Sequence, residues 1–193
     1  MSHIKMIVGL SNPTFKYHNT RHNIGAWYIH LLCKYNNINM KREQKFFGDI
    51  AQYKLKNSYI WLLVPNTFMN VSGISVYAVS NFYRINIQEI LVVHDELDLP
   101  VGTIKLKYGY GHNGHNGLRN IISQFGNKNK FCRIRIGIGR PEYIHEITSF
   151  VLSKPTKYEK SMILKVIHNV IQETNTIIEQ KKLFITSQLY SVH

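Results

Sequence analysis

The sequence is poor in acidic residues and in long apolar stretches. Asp and Glu number 11 in 193 residues against 24 Lys and Arg, which gives a formal net charge of +13. Such a positive field attracts polyanions, so the charge indicates nucleic acid or an anionic membrane surface as the partner. The longest apolar runs, such as residues 60–64, are far shorter than the roughly 20 residues of a membrane-spanning helix. Their shortness disfavours a membrane protein and favours the nucleic-acid interpretation.

Cysteine is also scarce. The two cysteines, Cys33 and Cys132, stand about a hundred positions apart, and neither lies in a C-x-x-C motif or a Cys/His cluster. This usage is typical of reduced, buried thiols in a cytosolic protein. Residues 1–10 lack the long apolar core and cleavage site of a signal peptide. We therefore expect a cytoplasmic protein that is not exported.

What the sequence does contain is the composition of a globular protein, with 44% hydrophobic residues. Its length favours one compact domain over residues 1–193, and we find no internal repeat or linker. Strand-like and helix-like patterns alternate along the chain. They predict a single α/β domain with a mixed, mostly parallel twisted sheet and helices on both faces.

The predicted elements follow from apolar periodicity and from turn residues. The predicted strands are residues 5–10, 50–55, 59–64, 90–94, 103–108 and 131–138, with a turn at Lys56, Asn57 and Ser58. The predicted helices are residues 24–35 with Asn23 as N-cap, 70–83, 118–125 and one long amphipathic helix from 156 to about 182.

Polar side chains stand where predicted strands end and helices begin. Asn12 follows the first strand, His22 precedes the first helix, Asn70 begins the second helix, and Asp95 follows strand 90–94. In open α/β sheets ligands gather at the carboxyl ends of strands, so these residues can converge on one cleft. A His with a carboxylate partner is a general-base arrangement, and Asn amides can orient substrate or stabilise an oxyanion. Taken singly, each has an ordinary explanation, such as a turn cap or a loop histidine.

The sequence has no G-x-S-x-G motif and no cysteine in a reactive context. A covalent nucleophile is therefore not indicated, and direct attack by water fits better.

One stretch, between Leu99 and Pro141, has no acidic residue at all. Its basic residues are Lys105, Lys107, Arg119, Lys128, Lys130, Arg133, Arg135 and Arg140. Alternation with a period of two places Arg133 and Arg135 on one face of a strand. The stretch is either a solvated basic surface or the footprint of a phosphate backbone.

Within that stretch, residues 109–117 are rich in Gly, His and Asn and lie between a predicted strand and a predicted helix. They contain G-x-G-x-x-G, but the acidic residue that a dinucleotide site needs about 20 positions later is missing. The glycines and the helix start still suit an anionic or carbonyl oxygen. His94, His112 and His115 leave a metal site open, and Asn116 can cap the helix.

Several motifs resemble those of the bacterial-type peptidyl-tRNA hydrolases. They are Val8-Gly-Leu-Ser-Asn-Pro13 with Tyr17 and Thr20-Arg-His-Asn-Ile-Gly25; Pro65-Asn-Thr-Phe-Met-Asn-Val-Ser-Gly73; Val92-Val-His-Asp-Glu-Leu-Asp-Leu-Pro-Val-Gly102; Gly111-His-Asn-Gly-His-Asn-Gly-Leu118; and Phe131-Cys-Arg-Ile-Arg-Ile-Gly-Ile-Gly-Arg-Pro141. Their order and spacing match along nearly the whole chain.

The resemblance implies a monomeric cytoplasmic enzyme that hydrolyses the ester between a peptide and the 3′-terminal ribose of tRNA, with no metal or organic cofactor. It implies that His22 is the general base for water and Asp95 its partner. Asn12 matches the position that distinguishes N-blocked from free aminoacyl-tRNA. Further substrate-binding positions are Tyr17, Phe68, Met69, Asn70 and Asn116, and the basic positions near tRNA phosphates are Lys107 and Arg135.

This chain departs from the family pattern in two loops. The glycine-rich loop usually has Gly where Tyr110 and Asn113 stand, and the first motif usually has Gly where Thr14 stands. These substitutions stiffen loops near the cleft.

Two other functions stay open from the sequence. One is a non-catalytic, basic RNA-binding domain. The other is a metallohydrolase that uses His94, His112 and His115.

Overall fold

The computed structural model describes residues 3–55, 58–126, 130–179 and 189–192. Its strands are β1 (Met6–Gly9), β2 (Lys41–Glu43), β3 (Gly48–Leu55), β4 (Ser58–Pro65), β5 (Ile90–Glu96), β6 (Thr103–Gly109), β7 (Phe131–Gly137) and β8 (Leu189–Ser191). Its helices are α1 (Ile24–Tyr35), α2 (Ser72–Phe82), α3 (Asn116–Gln124), α4 (Ile147–Val151), α5 (Lys157–Gln172) and α6 (Thr174–Glu179). Short 3₁₀ turns precede several of them.

All eight strands join one sheet in the order β2-β3-β4-β1-β5-β7-β6-β8. The central strands pair in parallel, β4 with β1, β1 with β5 and β5 with β7. The outer pairs on both sides are antiparallel. The predicted mixed sheet is thus confirmed, with parallel pairing in its centre and antiparallel pairing toward its edges.

Helices cover both faces, as predicted, because the central strands are apolar on both sides. On β1, Ile7 points into a core with α1, α5 and α6, including Tyr28 and Ile167. Its neighbour Val8 points to the other face, where α2 and α3 contribute Val76 and Leu118. Side chains of successive strand residues alternate between faces, so one short strand supplies both cores.

The predicted helix from 156 to about 182 is wrong as a single element. Helix α5 ends at Gln172, Glu173 forms a turn, and α6 begins at Thr174; residues 180–182 lie outside the described part of the chain. The buried Thr174 hydroxyl lies 3.0 Å from the Tyr28 hydroxyl, and the Glu173 carboxylate accepts a hydrogen bond of 3.0 Å from Tyr190. The apolar periodicity runs through this break because both helices pack on the same face.

Other differences are local. The segment predicted as helix 70–83 begins with a 3₁₀ turn at Met69–Val71 before α2. The strands on either side of the predicted turn at 56–58 pair as a hairpin, whereas Lys56 and Asn57 themselves lie outside the described residues, as does Lys128. Strands β2 and β8 and helix α4 were not predicted, since each is five residues or shorter.

A close approach between β1 and α1 positions the polar residues that follow β1. A Cβ built on Gly9 would lie 2.4 Å from the Gly25 carbonyl oxygen. Only glycine at both positions lets helix and strand come this near. The residues after β1 and those before α1 therefore lie side by side at the carboxyl end of the sheet.

None of the helices in the described ranges has the length and apolar character that a bilayer span requires.

Candidate active site

A cavity of about 570 Å³ opens at the carboxyl ends of β1 and β5. All eight residues expected to be catalytic or substrate-binding line it: Asn12, Tyr17, His22, Phe68, Met69, Asn70, Asp95 and Asn116. The polar side chains that the sequence scatters over more than a hundred positions thus converge, as the position of the strand ends predicts.

His22 and Asp95 form the central pair of the cavity. The Nδ1 atom of His22 lies 3.0 Å from Oδ1 and 3.1 Å from Oδ2 of Asp95. Asp95 lies near the end of β5, and His22 lies in the 3₁₀ turn before α1, 73 residues away in sequence. Both side chains are buried. A carboxylate only accepts hydrogen bonds, so Nδ1 of His22 carries the proton and Nε2 is the basic nitrogen.

Electrostatics in this pair favour a charged carboxylate and a basic imidazole. Burial alone would lower the pKa of His22, but the charge of Asp95 and its hydrogen bond outweigh burial and raise it. Burial would raise the pKa of Asp95, and the two neighbouring histidines reverse this and lower it. Asp95 is therefore a carboxylate at neutral pH, and His22 is a stronger base than a free imidazole.

His115 is a second histidine that bonds to Asp95, although the sequence suggests it only as a metal ligand. Its Nε2 lies 3.0 Å from Asp95 Oδ1, and its Nδ1 accepts from the backbone N–H of Gly117 at 3.1 Å. An acceptor at Nδ1 places the proton of the neutral ring on Nε2, which donates to the carboxylate. The side chain of His115 also caps α3, so the interpretation of Asn116 as the cap is wrong.

The three histidines of the metallohydrolase hypothesis do not form one ligand group. Among the described residues, the group close enough to hold a metal is His22, Asp95 and His115, with ligand atoms within 4.8 Å of one another. His94 instead donates from Nδ1 to the Asp95 carbonyl oxygen at 2.7 Å, and His112 accepts from the Gly114 N–H. In the observed arrangement, both ring nitrogens of His115 are occupied by hydrogen bonds, which leaves that ring no free lone pair for a metal.

Asn12 is held from two directions, which sets the orientation of its side-chain amide. Its Oδ1 accepts from the Met69 N–H at 2.9 Å. Its backbone N–H donates to Asn23 Oδ1, and its carbonyl accepts from Asn23 Nδ2, both at 2.9 Å. Asn23 is the N-cap residue of α1, as predicted, but its side chain makes no capping hydrogen bond and braces Asn12 instead. With Oδ1 occupied, the Asn12 Nδ2 group is the donor available to the cavity.

The remaining wall is partly apolar. Met69 is buried, Phe68 is 53% exposed, and both line the cavity with Tyr17. Asn70 and Asn116 are exposed at its rim. Helix α4 adds Ile147, Thr148 and Val151. The cavity thus combines the oriented amide of Asn12 and a basic imidazole with an apolar surface.

Lys107 and Arg135 do not line the cavity. They lie on the adjacent antiparallel strands β6 and β7, where Lys107 pairs with Arg133 and Lys105 with Arg135. Burial and then the neighbouring positive charges of Arg135 and Arg133 lower the pKa of Lys107. We call these four residues, Lys105, Lys107, Arg133 and Arg135, the basic face. It is a concentrated positive patch that an anion would stabilise.

Three residues important to the site were missed from the sequence: Asn23, Glu96 and His115 in its present role. Glu96 is buried beside Asp95 and accepts from Arg135 Nε at 2.8 Å. A signal existed for Glu96 alone, since it is an acidic residue next to Asp95 and stands shortly before a chain segment with eight cations and no acidic residue.

Comparison with known proteins identifies the family of this chain. The sequence matches the family model for peptidyl-tRNA hydrolase over residues 6–191. The peptidyl-tRNA hydrolase of Buchnera aphidicola subsp. Acyrthosiphon pisum (strain APS) is 54% identical over 168 residues, 87% of this chain and 95% of that protein. The peptidyl-tRNA hydrolase of Haemophilus influenzae (strain 86-028NP) is 47% identical over 191 residues, 99% of this chain and 98% of that protein.

Solved structures agree as well. The crystal structure of peptidyl-tRNA hydrolase from Acinetobacter baumannii is 39% identical and superimposes with a TM-score of 0.87. The match covers 95% of this chain and 93% of that one. The family model, the relatives and the solved structure each match most of this chain, which therefore belongs to the peptidyl-tRNA hydrolase family.

Proposed function

We propose that this chain hydrolyses the ester bond between the peptide carboxyl group and the 3′-terminal ribose of peptidyl-tRNA, with His22 as general base. The observation that carries the proposal is the His22–Asp95 pair at the cavity. Nδ1 of His22 is bound to Asp95, and no described group bonds Nε2. An imidazole with one nitrogen anchored to a carboxylate and the other facing a cavity is arranged to deprotonate water.

In the proposed reaction, a water molecule loses a proton to Nε2 of His22 as its oxygen attacks the ester carbonyl carbon. Asp95 stabilises the imidazolium that forms. The tetrahedral intermediate then collapses, the bond to the ribose 3′-oxygen breaks, and that oxygen takes the proton from His22. The products are a peptide with a free carboxyl group and a tRNA with a free 3′-hydroxyl, and no covalent enzyme intermediate is needed.

Side-chain amides at the cavity support substrate binding. The Nδ2 group of Asn12 is the free donor of that side chain, and we assign it to a carbonyl oxygen of the N-blocked aminoacyl group. Asn70 and Asn116 at the rim supply further donors and acceptors. Tyr17, Phe68 and Met69 provide the surface for the apolar parts of the peptide or the terminal base.

We assign the tRNA phosphates to Lys107 and Arg135 on the basic face. Phosphate contacts carry no sequence information, so binding should be nearly indifferent to tRNA identity. Affinity should fall with salt, and loss of one phosphate contact should reduce the slope of log K against log salt by about 0.7 to 0.9. The free thiols of Cys33 and Cys132, both buried, suit the reducing cytoplasm that we assign to this enzyme.

We assign a monomer to this enzyme, and sedimentation in solution tests the assignment, since the mass of a dimer would contradict it.

The test is release of labelled peptide from N-acetyl-aminoacyl-tRNA, beside free aminoacyl-tRNA, with and without chelator. The native chain should cleave only the blocked substrate and ignore the chelator. His22→Ala should reduce cleavage by about a hundred- to ten-thousandfold while retaining tRNA binding. The control is His168→Ala, an exposed histidine on α5 that contacts Tyr35. If the native chain binds the tRNA substrate without cleaving it, the protein is instead an RNA-binding domain. If the chelator abolishes cleavage, the protein is a metallohydrolase.

A further inference from the structure

The loop between β6 and α3 forms one wall of the cavity and ends at the catalytic pair. Residues 112–116 line the cavity, and His115 at the end of the loop donates to Asp95. Gly111 and Gly114 both have positive φ angles, and a Cβ at either position would meet nothing within 4 Å. The loop is therefore loosely packed, so its position depends on the few bonds that hold it.

One of those bonds comes from Asn113, a residue that stands where a glycine is usual in the family. Its Nδ2 group donates to Glu96 Oε1 at 3.0 Å and also to the Asp98 carboxylate. The backbone φ of Asn113 is +48°, a left-handed conformation that Asn tolerates better than most residues. The side chain thus ties the loop to the end of β5.

The carboxylate of Glu96 is shared between this loop and the basic face. Oε1 accepts from Asn113 and, at 3.2 Å, from the Asp98 N–H. Oε2 accepts from Arg135 Nε at 2.8 Å. Glu96 is 5% exposed, so water competes weakly for these bonds. A single buried carboxylate therefore connects a proposed phosphate contact to the cavity wall.

Arg135 is bound to Glu96 on one edge only. No described group bonds its two terminal guanidinium nitrogens, which form the planar fork that binds phosphate in two parallel hydrogen bonds. Its neighbour Arg133 reaches the same loop directly, donating to the carbonyl oxygens of Tyr110 at 2.6 Å and Gly111 at 2.7 Å. Both arginines of β7 thus make contacts that end on the loop beside Asp95.

We propose that Glu96 is a positioning residue that couples phosphate binding at Arg135 to the placement of the loop, and hence of His115 on Asp95. A phosphate in the fork immobilises the guanidinium, the guanidinium holds Glu96, and Glu96 holds Asn113. The tRNA backbone thereby increases the rate of ester cleavage as well as the affinity. This role rests on the proposed function, since it concerns the same substrate and the same catalytic pair.

The kinetic test uses Glu96→Gln and two substrates, N-acetyl-aminoacyl-tRNA and N-acetyl-aminoacyl-adenosine, which carries the ester without any acceptor-stem phosphate. A glutamine side chain has one acceptor oxygen, and its other terminal atom is an NH₂ donor. It therefore cannot accept from Arg135 with one atom and from Asn113 with the other, as the two oxygens of Glu96 do. We expect kcat on the tRNA substrate to fall about fivefold or more, within the usual range of coupling between sites. The adenosine ester should be affected much less. An equal fall on both substrates would reduce Glu96 to a structural role and overturn the proposal.

A double-mutant comparison separates coupling from simple charge loss. Arg135→Gln should reduce cleavage of the tRNA substrate less in the Glu96→Gln background than in the native one, since the connection is already broken. Lys105→Gln is the matched control, because it removes a charge from the same face and should be additive with Glu96→Gln. Additivity of Arg135→Gln with Glu96→Gln would also overturn the proposal.

A spectroscopic measurement keeps the proposal testable apart from catalysis. The side-chain amide signal of Asn113, identified by its loss in Asn113→Asp, should shift when a tRNA acceptor-stem duplex without its single-stranded 3′ end binds the native protein, since this probe places no nucleotide in the cavity. The signal should not shift in Arg135→Gln. This variant keeps the test available even if Glu96→Gln fails to fold. A shift that persists in Arg135→Gln would contradict the coupling. If the native chain cleaves neither ester, the proposed function fails, while this measurement still decides whether tRNA binding reaches the loop.

Discussion

His115 and His22 donate to the same oxygen of Asp95. Oδ1 of that carboxylate lies 3.0 Å from Nδ1 of His22 and 3.0 Å from Nε2 of His115. The two rings are 4.8 Å apart between centroids. Because one oxygen accepts both protons, the orientation of the Asp95 carboxylate depends on the residue that caps α3 as well as on His22, the proposed general base.

Because His115 bonds to Asp95 and also caps α3, we expect it to affect both activity and stability, and we expect the two effects to be separable. Asn is a good N-cap but is too short to reach Asp95, so His115→Asn should lower kcat about tenfold with little loss of stability. His115→Ala should lower kcat similarly and also cost about 1 kcal/mol of unfolding free energy. Peptide release and urea unfolding of both variants check this. Equal stability of the two variants would mean that the cap contributes nothing.

Replacement of Asp95 should change the pH dependence as well as the rate. His22 acts as a base only when neutral, so activity rises with pH through its pKa, which Asp95 raises against the effect of burial. In Asp95→Asn the carboxylate is gone and burial acts alone, so the rising limb should move to lower pH. The plateau kcat should fall about a hundredfold or more because the tautomer of His22 is no longer enforced. A profile of kcat over roughly pH 5 to 8 measures both.

An unmoved limb in that profile would show that a group other than His22 titrates. Asp98→Asn is a suitable control, because it too removes a carboxylate whose pKa is lowered, first by the hydrogen bond from Arg140 and then by that from Asn113. Asp98 lies outside the His22–Asp95 pair, so the rising limb of the Asp98→Asn profile should coincide with that of the native chain.

Asn12 should determine whether a blocked amino group is required. Its Oδ1 is occupied by the Met69 N–H, so Asn12→Asp keeps that bond but replaces the Nδ2 donor with a charged acceptor. We expect kcat/KM for N-acetyl-aminoacyl-tRNA to fall by about ten- to a hundredfold, as for loss of a hydrogen bond in a polar site. The ratio of kcat/KM for the blocked substrate to kcat/KM for the free substrate should fall as well. Retained discrimination would place that function in another residue.

Asn23→Ala offers a matched comparison for this prediction. It removes both bonds that brace the Asn12 backbone while leaving the Asn12 amide in place. A smaller fall in kcat/KM, with discrimination kept, is the expected result.

Packing between β1 and α1 predicts a purely structural effect. In Gly9→Ala the new methyl group would meet the Gly25 carbonyl oxygen at 2.4 Å, so strand and helix must separate. The expected cost is about 1 to 3 kcal/mol of unfolding free energy or more. Gly109→Ala is the control, since its Cβ would lie 3.5 Å from the nearest atom, an ordinary contact. Thermal or urea unfolding distinguishes them, and equal midpoints would refute the close approach.

Much of the architecture followed from the sequence, because short-range patterns determine it. Apolar runs closed by turn residues predicted the β1 and β5 strands, and alternation with a period of two predicted β7. Helical spacing predicted α1 with the bounds that the structure has. The same reasoning brought His22 and Asp95 to one edge of the sheet, since parallel strands end on the same side. Residue types placed at strand ends therefore carried most of the information about the site.

Only the tertiary structure decided how the polar groups divide their hydrogen bonds. Asn23 is the predicted N-cap residue of α1, yet its side chain bonds to Asn12 and not to the helix. Asn116 was predicted as the cap of α3 and His115 as a metal ligand, yet His115 is both the cap and a donor to Asp95. At the break between α5 and α6, Thr174 and Glu173 likewise bond to Tyr28 and Tyr190, which are distant along the chain. Local propensity favours Asn over His as an N-cap, so it points to Asn116 and not to His115 as the cap of α3. The choice among such alternatives depends on which buried donor meets which acceptor across the fold, and an unpaired buried polar group costs more than a cap contributes.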